Sequence, residues 1–251
     1  MGAATAGCSR ESAASDEPRA ALAAKVGART VLVELFTSEG CSSCPPADAL
    51  VHRLLNEPQD IAVVAFHVDY WNYLGWSDRF SAERWSDRQR DYARAMSTSR
   101  VYTPQLLFDG RDHHVGAQYR KATAAIEHAA ETPASHDLEV VVRRQGARAR
   151  ATVEVADRGT AKAGAKVMVA LVADAAQTEV RRGENAGRDL VHRSVALELR
   201  EACTVGVGES VTCDVDLDLG PYAGQALGVV AFVQHPKTMV VSAASSTALD
   251  R

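Results

Sequence analysis

The segment Val31-Leu32-Val33-Glu34-Leu35-Phe36, followed by Thr37-Ser38-Glu39-Gly40 and then Cys41-Ser42-Ser43-Cys44-Pro45-Pro46, constrains the fold of this chain more than any other. A run that is apolar except for one glutamate has the pattern of a strand buried on both faces of a sheet. The four residues after it break the strand. Leu50, Val51, Leu54 and Leu55 then fall at helical spacing, and prolines suit a first helical turn because its amides have no intrahelical acceptor. The segment predicts a strand, a tight turn and a helix, with two thiols at the turn. Ser43 is expected near the N-cap, Cys44 just inside the helix, and Cys41 outside it and exposed.

Two thiols three positions apart can close a disulfide without large backbone movement, and a helix N-terminus stabilises a thiolate. The pattern points to dithiol–disulfide chemistry with Cys41 attacking and Cys44 resolving. Half of a zinc site has the same spacing. Pro45 and Pro46 remove two amides that might have bonded the Cys41 thiolate, which places its expected pKa in the upper part of the roughly 3.5–7.5 range of activated cysteines.

With 251 residues, the chain suffices for one large domain or two ordinary ones. A net charge of −4 gives no electrostatic argument for nucleic acid or an anionic membrane, and no apolar run approaches a membrane span. Residues 1–28 read as a flexible tether. Within it, Thr5-Ala6-Gly7-Cys8-Ser9 matches a lipoprotein processing site that would make Cys8 a lipid anchor, or matches by chance, since an apolar segment before it is missing. Of the five cysteines, Cys203 and Cys213 flank a turn-rich stretch between two strand-like runs. They read as a cross-strand disulfide, which implies an oxidising, extracytoplasmic compartment, or as two unrelated buried thiols. A four-cysteine zinc site with Cys41 and Cys44 is disfavoured, because Cys203 and Cys213 lack knuckle spacing.

Residues 61–68 form a second buried-type run, so a parallel strand–helix–strand unit is expected. A helix follows over 81–96. Gln105 to Phe108 is the next strand, Asp109-Gly110 signals a hairpin turn, His113 to Gly116 is the returning strand, and 122–130 is a closing helix. That order, with Cys-x-x-Cys at the first helix, is the minimal thioredoxin fold. From Asp137 the pattern changes to short runs at 138–142, 149–155, 167–172, 194–199, 211–217 and 227–234, a β-sandwich signature. The expected architecture is an α/β thioredoxin-like domain over 29–134 with an inserted helix, followed by a β-rich, sandwich-like C-terminal domain over 137–248.

In detail, Glu34 to Asp48, His67-Val68-Asp69-Tyr70-Trp71 and Val101-Tyr102-Thr103-Pro104-Gln105 resemble a secreted, thioredoxin-like bacterial family catalogued as a domain of unknown function, family 1223. The resemblance spans roughly residues 29–245. It implies a cis bond at Thr103-Pro104, packed against the dithiol. It assigns no substrate, and the Trp-Cys-Gly-Pro-Cys of thioredoxin itself is absent.

His67 and Asp69 end the second strand, where ligands bind in open α/β sheets. Either is a candidate proton carrier for Cys44; the plainer reading has Asp69 capping the next turn and His67 packed in the sheet. Tyr70, Trp71, Tyr73 and Trp76 line an apolar groove for substrate or anchor the inserted helix. The stretch Arg181 to Arg188 is a solvated loop or a contact on the dithiol. His113-His114 with the dithiol offers soft and imidazole donors for copper, but adjacent strand residues point to opposite faces.

The expected function is therefore an extracytoplasmic thiol–disulfide oxidoreductase, acting on protein or small-molecule thiols and disulfides together with a redox partner protein, with no cofactor, metal or nucleic acid. Its rivals are a copper-binding metallochaperone using the same thiolates and a non-catalytic recognition protein with a structural disulfide.

Overall fold

The structure, a computed structural model, describes residues 29–249 apart from residue 99. The tether and the lipid-anchor reading of Cys8 lie outside the described residues. The chain runs β1 (Val31–Thr37), α1 (Pro45–Leu55), β2 (Ile61–His67), α2 (Glu83–Ala95), β3 (Gln105–Phe108), β4 (Asp112–Val115) and α3 (Tyr119–Glu131). It continues through β5 (His136–Gln145), β6 (Arg148–Asp157), β7 (Ala165–Val180), β8 (Arg188–Val205), β9 (Ser210–Asp218), β10 (Leu227–Gln234) and β11 (Val241–Leu249).

Eight of these strands form one mixed sheet in the order β11-β10-β7-β8-β2-β1-β3-β4, and β5-β6-β9 form a second. β1 and β2 are parallel with Val31 opposite Ile61. On its other side β2 meets β8, also parallel, at Ala65 and Val195. The expected thioredoxin-like α/β fold followed by a sandwich-like domain is therefore corrected. The protein is mostly β, and strands from both halves of the chain enter the same large sheet. The finding that overturns the expectation is β2: it is not the end of a small α/β sheet but continues into β8, β7, β10 and β11.

Both faces of this sheet are covered. On one face α2 lays Trp85 and Tyr92 against Leu32, Phe36, Phe66, Leu107 and, from the second half of the chain, Val172 and Phe232. On the other face α1 and α3 bury Leu50, Val51, Leu54, Ala122 and Ile126 against Val33, Leu35, Val63 and Phe108. The same face further along, carrying Val169, Leu171, Val229 and Ala231, is covered by Val153, Val155 and Leu217 of the smaller sheet. Val195 belongs to that cluster and sits opposite Ala65 of the helix-covered cluster, so the two lie on one side. Each fully buried aliphatic or aromatic side chain in these layers contributes about 1.5–3 kcal/mol.

Double-sided burial explains the one polar residue in the β1 run. Glu34, on the face of Leu32 and Phe36, points towards α2, and the Arg88 guanidinium donates to it from Nε at 2.8 Å. Tyr92 Oη also donates to Glu34. Gln234 of β10 accepts from Arg88 at 3.2 Å and donates to Tyr92 Oη at 2.8 Å. A buried carboxylate requires such partners, and here they tie β1, α2 and β10 together. No helix among the described residues is long and apolar enough to cross a membrane.

Candidate functional site

Cys44 is itself the N-cap of α1, one position later than expected, and Pro45 and Pro46 open the helix. Cys41 and Cys44 are joined as a disulfide with Cα atoms 5.4 Å apart. Ser43 Oγ lies 3.3 Å from Cys41 Sγ. The expected exposure of Cys41 is corrected: it is 1% exposed and Cys44 is 0% exposed, while Ser42 and Ser43 between them face solvent.

What covers Cys41 is the turn between β7 and β8. Asn185 Nδ2 donates to the carbonyls of Glu39 at 2.9 Å and Cys41 at 3.0 Å, with its side chain fully buried. The amide of Ser42 donates to Glu184 Oε2 at 3.1 Å, and these Ser42 hydrogen bonds hold the Glu184 carboxyl below its ordinary range. Gly183, at φ +76°, packs so closely on the other side that a Cβ there would lie 3.2 Å from Trp76 Cβ. Of the two readings of the stretch 181–188, the contact on the dithiol is the one observed.

Thr103 and Pro104 also reach the site, and their peptide bond is cis. The Thr103 carbonyl faces Ser43 Oγ at 3.5 Å, and Trp71 Nε1 donates to Thr103 Oγ1 at 2.8 Å. Trp71 rests against the turn at Gly40, where a Cβ would lie 3.0 Å from its own Cβ. Trp76 Nε1 donates to Glu39 Oε2 at 2.7 Å. Tyr70 instead donates to Gln89 of α2 at 3.0 Å, with its phenol pushed up to about 12 by burial. Tyr73 is exposed. The aromatic stretch thus divides, with Trp71 and Trp76 serving the dithiol turn, Tyr70 serving α2, and Tyr73 facing solvent.

Buried around the turn that carries the dithiol, the expected candidate His67 is joined by Asp78, Asp48, Glu39 and His192, which the sequence did not single out. His67 is fully buried, and its Nδ1 lies 2.6 Å from Asp78 Oδ2. Burial pushes the Asp78 carboxyl up, but the charge and hydrogen bond of His67 and the amides of Glu39 and Phe80 outweigh it and hold it below its ordinary value. His192 of β8 sits with Nδ1 3.2 Å from Asp48 Oδ1 and Nε2 3.6 Å from Glu39 Oε1. Burial pulls the His192 imidazole down; the two carboxylates more than reverse this and hold it up at about 10. The Glu39 contact is too long for a hydrogen bond, so Asp48 is the stronger partner. Thr37 Oγ1 donates to the other Asp48 oxygen at 3.0 Å, and the two imidazoles meet edge to face with centroids 4.6 Å apart.

Asp69 is not part of this cluster; its amide and carboxylate engage Ser86 of α2. His113 pairs with Tyr102 Oη at 2.6 Å and His114 with Asp112 at 3.2 Å, and neither bonds to the dithiol. Cys203 and Cys213 are joined as expected, linking β8 to β9 with Cα atoms 6.1 Å apart. Two signals for the missed groups are present in the sequence. Asp48 lies one helical turn beyond Cys44, and His192 occupies the buried parity of a strand between Leu190 and Ser194.

A family model described as "Protein of unknown function (DUF1223)" matches residues 32–234. Among solved structures, protein AGR_C_4864 from Agrobacterium tumefaciens is 26% identical, with 89% of this chain and 98% of that chain covered at a TM-score of 0.66. HBP35 of Porphyromonas gingivalis is 14% identical, with 89% and 76% covered and a TM-score of 0.69, a likeness of fold alone. No curated protein matches.

Proposed function

The chain belongs to the DUF1223 family of proteins of unknown function, so its chemistry has to be read from the site itself, and we propose that Cys41 and Cys44 are a thiol–disulfide exchange pair. The observation that carries this reading is a disulfide closed across the N-cap of α1, beside Ser43 and Thr103-Pro104. The helix terminus favours a thiolate when the bond is open.

In the reduced protein the Cys41 thiolate attacks one sulfur of a substrate disulfide. An S–S bond forms between Cys41 and substrate, and the other substrate sulfur leaves as a thiolate. The Cys44 thiol loses its proton to solvent and attacks Cys41 Sγ, which closes Cys41–Cys44 and releases the second substrate thiolate. Two electrons pass from the dithiol to the substrate, and the reverse sequence oxidises a substrate dithiol. Because Asn185 is clamped on the Cys41 carbonyl and Glu184 on the Ser42 amide, the β7–β8 turn has to swing aside for a substrate to enter. The Cys203–Cys213 crosslink supports an extracytoplasmic setting, where such bonds persist.

The burial of both sulfurs favours a second reading, a structural staple. Trapping separates the two. Reduced Cys44→Ser protein, offered glutathione disulfide, is expected to hold a stable mixed disulfide on Cys41, and Cys41→Ser is expected to hold none. If neither variant forms an adduct while both stay folded, the pair is a staple.

A further inference from the structure

Three carboxylates, Glu39, Asp48 and Asp78, are buried with His67 and His192, and all five are at most 6% exposed. Among the described residues, the ion pairs of these carboxylates are to the two histidines alone, with no arginine or lysine. Three buried negative charges against two imidazoles leave the group short of positive charge, an arrangement of high cost unless a cation is present. We propose that Asp48, His67 and His192, with Glu39 beside them, bind a divalent transition-metal ion of the zinc class.

Two independent features support this site. One donor atom each from Asp48, His67 and His192 lies within 4.8 Å of the others. A tetrahedral ion with bonds of about 2.0–2.1 Å holds its ligand atoms about 3.3–3.4 Å apart, so the donor atoms draw in by up to about 1.4 Å on binding. The second feature is the orphaned atoms. Glu39 Oε1, His67 Nε2 and His192 Nε2 are buried and have no hydrogen-bond partner. Buried polar atoms are normally paired, and these three occur on neighbouring side chains.

The surroundings match what metal-binding imidazoles require. Asp78 holds the His67 Nδ1 proton, which leaves the Nε2 lone pair free to ligate, and carboxylate–histidine pairs of this kind fix the tautomer at metal sites. Imidazole and carboxylate donors suit zinc and its neighbours. An open cleft of about 390 Å³, lined by Pro45, Asp48, His52, Leu190 and His192, leads to the cluster and gives an ion a route in. The ligands come from α1, β2, β8 and the turn before the dithiol, so the bound ion pins β8 to the start of α1 and is structural.

The test uses the full chain with both disulfides intact and Cys8, the fifth cysteine, alkylated beforehand, which removes thiolates as competing ligands. After stripping with EDTA and dialysis, the protein is titrated with Zn²⁺ against a chromophoric chelator and, separately, with Co²⁺. One equivalent per chain is expected to bind, with a cobalt spectrum of nitrogen and oxygen ligation free of thiolate charge transfer. His67→Gln and His192→Gln should each weaken zinc binding by more than the roughly 10–100-fold typical of losing an outer partner. The cobalt spectrum needs no variant, so a misfolded substitution does not blunt the test. Failure to compete with the chelator, or affinity unchanged in both variants, overturns the proposal and leaves the dithiol reading untouched.

Discussion

Asn185 is the residue on which access to Cys41 turns. Its amide spans the carbonyls of Glu39 and Cys41, and its own oxygen accepts from Arg188 at 3.1 Å. Each such bond contributes about 0.5–1.5 kcal/mol, so Asn185→Ala, which removes all three, loosens the β7–β8 turn by about 1.5–4.5 kcal/mol. Dithiothreitol should then reduce Cys41–Cys44 roughly tenfold faster or more, since about 1.4 kcal/mol is a factor of ten. An unchanged reduction rate, followed by alkylation and mass spectrometry, means that the turn does not gate the dithiol. At this scale the sequence made part of the site legible. Cys41 and Cys44 announce themselves by spacing, and Thr103-Pro104 by its place before a strand. Asn185 does not, because a polar residue in a loop looks the same whether it meets water or a neighbour more than 140 positions away in the chain. The burial of Cys41 is hidden from the sequence for the same reason, since the residues that bond its turn lie in the distant β7–β8 turn.

Among the elements, β7 and β8 carry the connection between the two halves of the chain. Val167–Val172 and Ser194–Leu199 were legible as strands, but β7 and β8 run far beyond them, over 16 and 18 residues. Their outer arms alternate with exposed polar side chains such as Gln177, Glu179 and Asp189, so an apolar-run reading stops short of them. Those arms carry His192 and the covering turn to the dithiol. At its other end β8 is joined to β9 of the smaller sheet through Cys203–Cys213. A loop closed over ten residues of separation stabilises by about 3 kcal/mol on the chain-entropy estimate. The double substitution Cys203→Ala, Cys213→Ala should lower the unfolding free energy in urea by about that amount. A midpoint identical to the parent's would mean that the crosslink contributes nothing.

For the molecule as a whole, the local order of strands and helices was legible while their assembly was not. A strand buried on both faces gives the same apolar run in any sheet with covered faces, so β1 and β2 fitted a small α/β domain as well as the large mixed sheet. The partner of β2 is β8, met through the single pairing of Ala65 with Val195, and a contact 130 residues away leaves no local periodicity. The consequence for function is that the dithiol is not an isolated strand–turn–helix device. It is seated against the distant β7–β8 hairpin, which in the exchange reading proposed above has to yield. The most direct measurement is a redox titration of the Cys41–Cys44 pair in graded glutathione buffers, read by differential alkylation of the folded protein. The account predicts a single two-electron transition at a potential above about −300 mV, within reach of a cellular thiol pool. A pair that stays oxidised below that potential, or opens only as the protein unfolds, would contradict it.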